Sequence, residues 1–221
     1  MGAAAVVLLL VGCRSTRRAA INLEEYSRAV RVACVGDSIT YGAGVENRDE
    51  NNYPTVLGAK LGRQFVVRNF GVSGATLQKA GDNPYWGLPE FAQVSEFKPD
   101  LILILLGTND TKPQNWKNRQ VFENDARALV EHFAGLPNKP KVWICLPVPV
   151  YATQWGINDE TLYRDILPGL AHVAQEKKLA VIDLYDALSN RPDLFPDKVH
   201  PNAKGAELIA HTIELALMPR H

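Results

Sequence analysis

The chain predicts a three-layer α/β/α fold built on a five-stranded parallel sheet, and three observations carry that expectation. Apolar runs of strand length recur five times, at Val30–Val35, Phe65–Phe70, Leu101–Leu106, Val142–Leu146 and Leu179–Leu184. Each is followed by a longer stretch with apolar residues at helical spacing, and strands alternating with helices are the pattern of parallel βα units. The runs are nearly continuous in apolar character, as strands covered by helices on both faces must be. A length of 221 residues suits one domain with a substantial core, whereas two would be cramped.

The helices are expected at 53–62, 88–97, 119–135, 159–178 and 203–217. The last starts after His200-Pro201-Asn202, where an asparagine can cap free backbone N–H groups. Leu208, Ile209, Ile213, Leu215 and Leu217 form its apolar face. Pro84, Pro89, Pro113, Pro147 and Pro149 fall in the connections, where a missing N–H costs nothing. Cys34 and Cys145 lie inside strand runs and are expected as buried free thiols, since a disulfide would need their strands side by side. Between residues 30 and 221 there is no internal repeat and no low-complexity segment.

Hydrophobic residues make up 46% and charged residues 22% of the chain, with 24 basic and 24 acidic side chains. That balance excludes both disorder and the basic footprint of a nucleic-acid binder. The apolar stretch Ala3–Val11 is too short to span a bilayer and reads as the core of a signal peptide. Leu10-Val11-Gly12-Cys13 resembles a bacterial lipobox, which makes Cys13 the expected lipidation site and residues 1–13 a lipoprotein-type signal segment. Residues 14–29, with Arg14, Arg17 and Arg18, are then a tether and 30–221 the folded domain. The expected location is exported, periplasmic or anchored to the outer membrane of a bacterium.

Ligands of open parallel sheets bind beyond the carboxyl ends of the strands, and polar blocks fall there in order. Gly36-Asp37-Ser38 follows the first strand, Gly71-Val72-Ser73-Gly74 the second and Gly107-Thr108-Asn109-Asp110 the third, while Asp197 to His200 precedes the last helix. A serine hydroxyl needs an imidazole to take its proton, and the imidazole needs a carboxylate to fix its tautomer. Asp197, three residues before His200, suits that pairing. Taken singly, Ser38 is an ordinary turn or cap residue and Asn109-Asp110 an ordinary Asx turn. Asp197 and His200 also suit a metal, but no third His or Cys clusters with them, so no metal and no cofactor are expected. Ser73 is a second serine in a glycine-flanked turn; a nucleophile elbow needs glycine two residues later, where Ala75 stands. His132, His172 and His211 lie on amphipathic helices and are expected at the surface or in helix packing.

Together the four blocks, spanning residues 36–200 in order, resemble the SGNH hydrolases, the GDSL-type esterases and lipases, with Ile39 in place of the leucine. The resemblance implies a flavodoxin-like arrangement of the sheet. It implies Ser38 as nucleophile, His200 as general base and then acid, and Asp197 as the carboxylate that orients it. It also implies an oxyanion hole made of the Ser38 and Gly74 backbone N–H groups and the Asn109 side-chain amide. Each suits the task physically: first-turn helical N–H groups are free, glycine permits close backbone approach, and an amide donor is indifferent to pH. Asp37 and Asp110 are expected to brace their loops.

Trp143 lies in a strand run and is expected in the core, whereas Trp86, Trp116 and Trp155 fall in loops at the site's edge, where they either stack on a sugar ring or close the loops over the core. Within the family the chain resembles exported bacterial carbohydrate acetylesterases, including those for sialic acid or plant polysaccharides. The expected activity is cleavage of short acetyl esters on a small-molecule or oligosaccharide substrate through an acyl-serine. The alternatives are a lysophospholipase, thioesterase or broad short-chain esterase of the same family and, outside catalysis, a carbohydrate-binding protein. Oligomeric state is not legible in the sequence.

Overall fold

The computed structural model describes residues 20–218, so the expected signal segment and Cys13 lie outside the described residues. Five strands, β1 (Val30–Gly36), β2 (Phe65–Gly71), β3 (Leu101–Leu105), β4 (Lys141–Leu146) and β5 (Ala180–Asp183), form one sheet in the order β2-β1-β3-β4-β5. All four pairings are parallel. The chain winds outward from β1 to one edge, then from β3 to the other. The crevice where the winding reverses lies between β1 and β3, the usual place for a ligand in such sheets.

Alternate strand residues feed two cores. Ala33, Val35, Ile102 and Ile104 face one side with Phe97 of α4 (Pro89–Phe97), Phe122 and Phe133 of α5 (Arg119–Ala134) and Leu170 of α7 (Leu167–Lys177). Val32, Cys34, Leu101 and Leu103 face the other with Tyr53 and Leu57 of α3 (Tyr53–Leu61) and Ile209 and Ile213 of α9 (Ala203–Leu217). Asn202 caps α9 through the Gly205 N–H at 3.0 Å. Short helices α1 (Ser38–Tyr41), α2 (Arg48–Asn51), α6 (Asp159–Thr161) and α8 (Leu184–Leu188) complete the set.

Three differences from the sequence reading have physical causes. Packing begins before residue 30: Ile21 is buried in the core and its N–H donates to the Leu217 carbonyl at 2.9 Å, so the expected tether over 14–29 is in part folded chain. The single helix expected over 159–178 is α6, a π-helical stretch Leu162–Ile166 and α7. Pro168 has no N–H to donate to a regular ladder, and the Leu167 N–H reaches back to the Leu162 carbonyl instead. The segment after β5 turns at once into α8, capped by Asp183 through the Asp186 N–H.

Cys34 on β1 and Cys145 on β4 are buried free thiols. The intervening β3 holds their strands about 10 Å apart, beyond disulfide reach, and burial pushes the Cys34 thiol up to about 12.

Candidate active site

Ser38 is the first residue of α1, one step beyond Asp37, whose Oδ1 accepts the Ile39 N–H at 2.9 Å. Such an abrupt strand-to-helix turn demands that α1 sit directly against the strand ends. A Cβ on Gly36 would lie 2.0 Å from Thr40 Oγ1 and 2.7 Å from the Leu105 carbonyl. One on Gly71 would lie 2.2 Å from the Tyr41 nitrogen. Asn69 clamps the same turn, donating Nδ2 to the Thr40 carbonyl at 2.7 Å while its Oδ1 accepts the Gly71 N–H at 2.8 Å. Thr40 in turn meets the buried Tyr53 hydroxyl at 3.1 Å. Asn69, Thr40 and Tyr53 have no signature in the sequence beyond polar groups inside otherwise apolar stretches.

The loop before α9 brings His200 to the serine. His200 Nε2 lies 2.9 Å from Ser38 Oγ, and Nδ1 lies 2.8 Å from Asp197 Oδ2. Asp197 Oδ1 accepts the N–H groups of Val199 at 2.9 Å and His200 at 2.6 Å, a tight turn that takes Lys198 into the left-handed region at φ 74°. Partial burial pushes the Asp197 carboxyl up, but those two N–H groups and the imidazole outweigh it and hold the group below its ordinary value. An ionised carboxylate only accepts, which leaves the Nδ1 proton on the Asp197 side and a lone pair on Nε2 facing Ser38.

Gly74 and Asn109 line the same cleft as this pair. Gly74 has φ 82°, which a side-chain-bearing residue rarely adopts. Asn109 is buried, its Nδ2 donating to the Ala75 carbonyl at 3.2 Å and its own carbonyl accepting from Asn115 Nδ2 at 2.9 Å. Asp110 braces the neighbouring loop by accepting the Leu77 and Gln78 N–H groups at 2.9 and 2.7 Å. Burial pushes both Asp37 and Asp110 up to about 6. Among the described residues Asp37 Oδ2 and the buried Thr108 hydroxyl are both without a close hydrogen-bond partner.

Ser38, Gly74, Asn109 and His200 line one open cleft of about 200 Å³, with Ser73, Ala43, Lys112, Trp155 and Ile157 around them. Cavities that enclose drug-sized ligands run from about 300 Å³, so this one suits a small acyl group. A larger cleft of about 390 Å³ beside α3 and α9, lined by Lys60, Arg191 and Lys204 among others, contains no nucleophile and base pair.

Of the three loop tryptophans expected at the site, only Trp155 is there. Its ring lies 5.5 Å from that of His200 and it is 58% exposed. Trp86 instead donates its indole N–H to the Leu77 carbonyl at 3.0 Å and packs on Phe91, and Trp116 packs on Phe122. In both, the core captured the ring because the loop folds back over α4 or α5. Trp143 is buried, as expected. His132 stacks on Phe91, His172 pairs with Glu123 at 2.8 Å and His211 with Glu214 at 3.1 Å, all away from the cleft. Among the described residues no group of three or more His, Cys, Asp or Glu could hold a metal ion, and no helix is long and apolar enough to cross a membrane.

A five-stranded parallel sheet covered by helices on both sides, with serine, histidine and aspartate at its carboxyl end, is the α/β fold of the SGNH hydrolases. The chain belongs to the GDSL-like lipase/acylhydrolase family, whose model matches residues 34–208. It is 36% identical over 207 residues to an acetylxylan esterase of Xylanibacter ruminicola, across 86% of this chain and 43% of that protein. The chain thus spans less than half the length of this relative. Its fold is similar to that of Est24, a carbohydrate acetylesterase from Sinorhizobium meliloti (TM-score 0.69, 23% identity, 84% of this chain and 96% of that one). It is equally similar to the native aryl esterase of M. smegmatis (TM-score 0.69, 23% identity, 86% and 100%).

Proposed function

We propose that this chain is a serine carboxylic-ester hydrolase that removes acetyl groups from a carbohydrate through an acyl-Ser38 intermediate. The observation that carries the reading is the unbroken line from Ser38 Oγ to His200 Nε2 at 2.9 Å and from Nδ1 to Asp197 at 2.8 Å. His200 Nε2 takes the Ser38 proton as Oγ bonds to the ester carbon. The carbonyl oxygen becomes an oxyanion, received by the N–H groups of Ser38 and Gly74 and by Asn109 Nδ2. The intermediate collapses, the bond to the alcohol oxygen breaks, and that oxygen leaves with the proton from Nε2. A water then gives a proton to Nε2 and its hydroxyl to the acyl carbon; acetate departs and Ser38 Oγ regains its proton.

The acetyl preference is supported by the cleft of about 200 Å³ and by relatives described as an acetylxylan esterase and a carbohydrate acetylesterase. A fluorophosphonate probe tests the nucleophile: labelling that Ser38→Ala abolishes is the expected result, and folded protein that takes no label leaves the binding-protein reading. Equal turnover of acetyl and long-chain p-nitrophenyl esters would favour the broad esterase or lysophospholipase alternative. The lipobox pattern at Cys13 supports an exported, membrane-tethered protein. Mass spectrometry of the mature N-terminus tests that reading, and an unmodified Cys13 removes the anchor.

A further inference from the structure

Trp155 and Lys112 occupy the rim of the cleft for reasons that packing alone does not supply. Residues 154–157 form a two-residue hairpin turn, with the Gln154 N–H donating to the Ile157 carbonyl at 3.2 Å and the Ile157 N–H to the Gln154 carbonyl at 2.8 Å. Both central residues are left-handed, Trp155 at φ 51° and Gly156 at φ 81°. Such a turn favours Asn or Gly at its first position. A tryptophan there is strained, and strain of this kind persists where surrounding structure imposes it.

The surroundings do impose it. Asn158, just after the turn, donates its Nδ2 to the Thr111 carbonyl at 2.8 Å and its N–H to Thr111 Oγ1 at 3.2 Å. Ile157 is buried beneath. A Cβ on Gly156 would sit 3.3 Å from Pro113 Cδ and 3.8 Å from Lys112 Cβ, so the turn rests on Lys112 and Pro113. A flat aromatic face and a primary ammonium are therefore presented together by two segments hydrogen-bonded to each other, beside Ser38 and His200.

The charges at the rim are lopsided. Lys112 is the one Lys or Arg among the described cleft-lining residues, and no Asp or Glu lines the cleft. Its ammonium lies 3.9 Å from Asp82, the outer limit of an ion pair, and Asp82 already accepts from Asn115 and Gln114. The Lys112 side chain is only 15% exposed, so a new anionic partner would meet it partly shielded from water.

Resting on the acetylesterase reading above, we propose that the sugar bearing the acetyl group is a hexuronic acid, its ring face on Trp155 and its carboxylate on Lys112. A neutral sugar would use the aromatic face but leave the ammonium with Asp82 alone, at the outer limit of an ion pair. A hexuronic acid places a ring face and a carboxylate on one sugar unit, the pair of features that Trp155 and Lys112 present at the cleft.

The test compares acetate release from mono-O-acetyl methyl glucuronosides with release from the matching glucuronamides, which have the same shape and no charge. The wild-type chain is expected to favour the acid about 5–10-fold in kcat/KM, the size of a partly buried ion pair, and added salt shrinks the ratio. Lys112→Met brings the ratio to one and Lys112→Glu inverts it, with melting curves reporting whether each variant is folded. Equal kcat/KM for acid and amide in the wild type overturns the inference while leaving the esterase reading intact. No turnover of p-nitrophenyl acetate by the wild type overturns that reading and this inference with it.

Discussion

The serine wall of the cleft and its tryptophan wall are held by different means. On the serine side, α1 is pressed onto Gly36 and Gly71 so closely that a single methyl group would collide with backbone, and Asn69 and Asp37 bond the turn from within. On the other side, an exposed indole rides a strained turn tied down mainly by Asn158. Buried close packing has one solution and resists change; a hydrogen-bonded hairpin at the surface can trade its tip residue at small cost. On the proposed reading, the first wall holds the nucleophile and the second meets the alcohol.

Substitutions separate the two walls. Ser38→Ala is expected to lower kcat for p-nitrophenyl acetate by about 10⁴-fold or more, with an unchanged melting temperature. Asn109→Ala should cost about 10²–10³ in kcat, the usual toll of one oxyanion donor, and a loss confined to KM would count against that role. Gly71→Ala forces a Cβ to within 2.2 Å of the Tyr41 nitrogen. Overpacking of about 3 kcal/mol should appear as a fall of about 10 °C in Tm, and a variant that melts with the wild type refutes the close-packing account.

The buried carboxylate under the serine gives a pH signature. Burial pushes Asp37 up to about 6 from an ordinary 3.8, so between those values the folded chain holds a proton that the unfolded chain has released. On this group's account, stability rises as pH falls through about 6 and is lower above it. Asp37→Asn can keep the oxygen that caps Ile39 while losing the ionisable group. Melts at pH 7, 6 and 5 should show the wild type gaining on the variant as pH falls, the similarly raised Asp110 being common to both. The smallest effect is on the far wall. Trp155→Gly removes the strained φ and the stacking face together, so Tm should hold or rise slightly while kcat/KM on acetylated sugar falls about 3–10-fold. A drop of several degrees would mean the indole holds the turn together.

Strand and helix positions were legible because burial on both faces of a parallel sheet leaves continuous apolar runs, and the ends mostly differ by a residue. The serine, histidine and aspartate were legible because one loop supplies Asp197 and His200 and one turn supplies Ser38. What was not legible depends on where long loops fold. Residues 72–88 follow β2 toward the site, yet Trp86 returns to Phe91 and His132, its indole N–H held by the Leu77 carbonyl. Lys112 stands two residues after Asp110, the end of the third block, but only the distant Gly156 turn lying on it reveals its place. The π-helical stretch had one visible cue, Pro168, and its partner is far in sequence: a Cβ on Gly107 would meet Ile166 Cγ2 at 2.8 Å.

The bond from the Ile21 N–H to the Leu217 carbonyl makes entry to and exit from the packed domain near neighbours. A unit with its two ends side by side can be spliced into the loop of a host protein, or have those ends joined and be reopened at a surface loop, without pulling on the sheet. The cleft, built from the carboxyl ends of the strands, would travel with it intact.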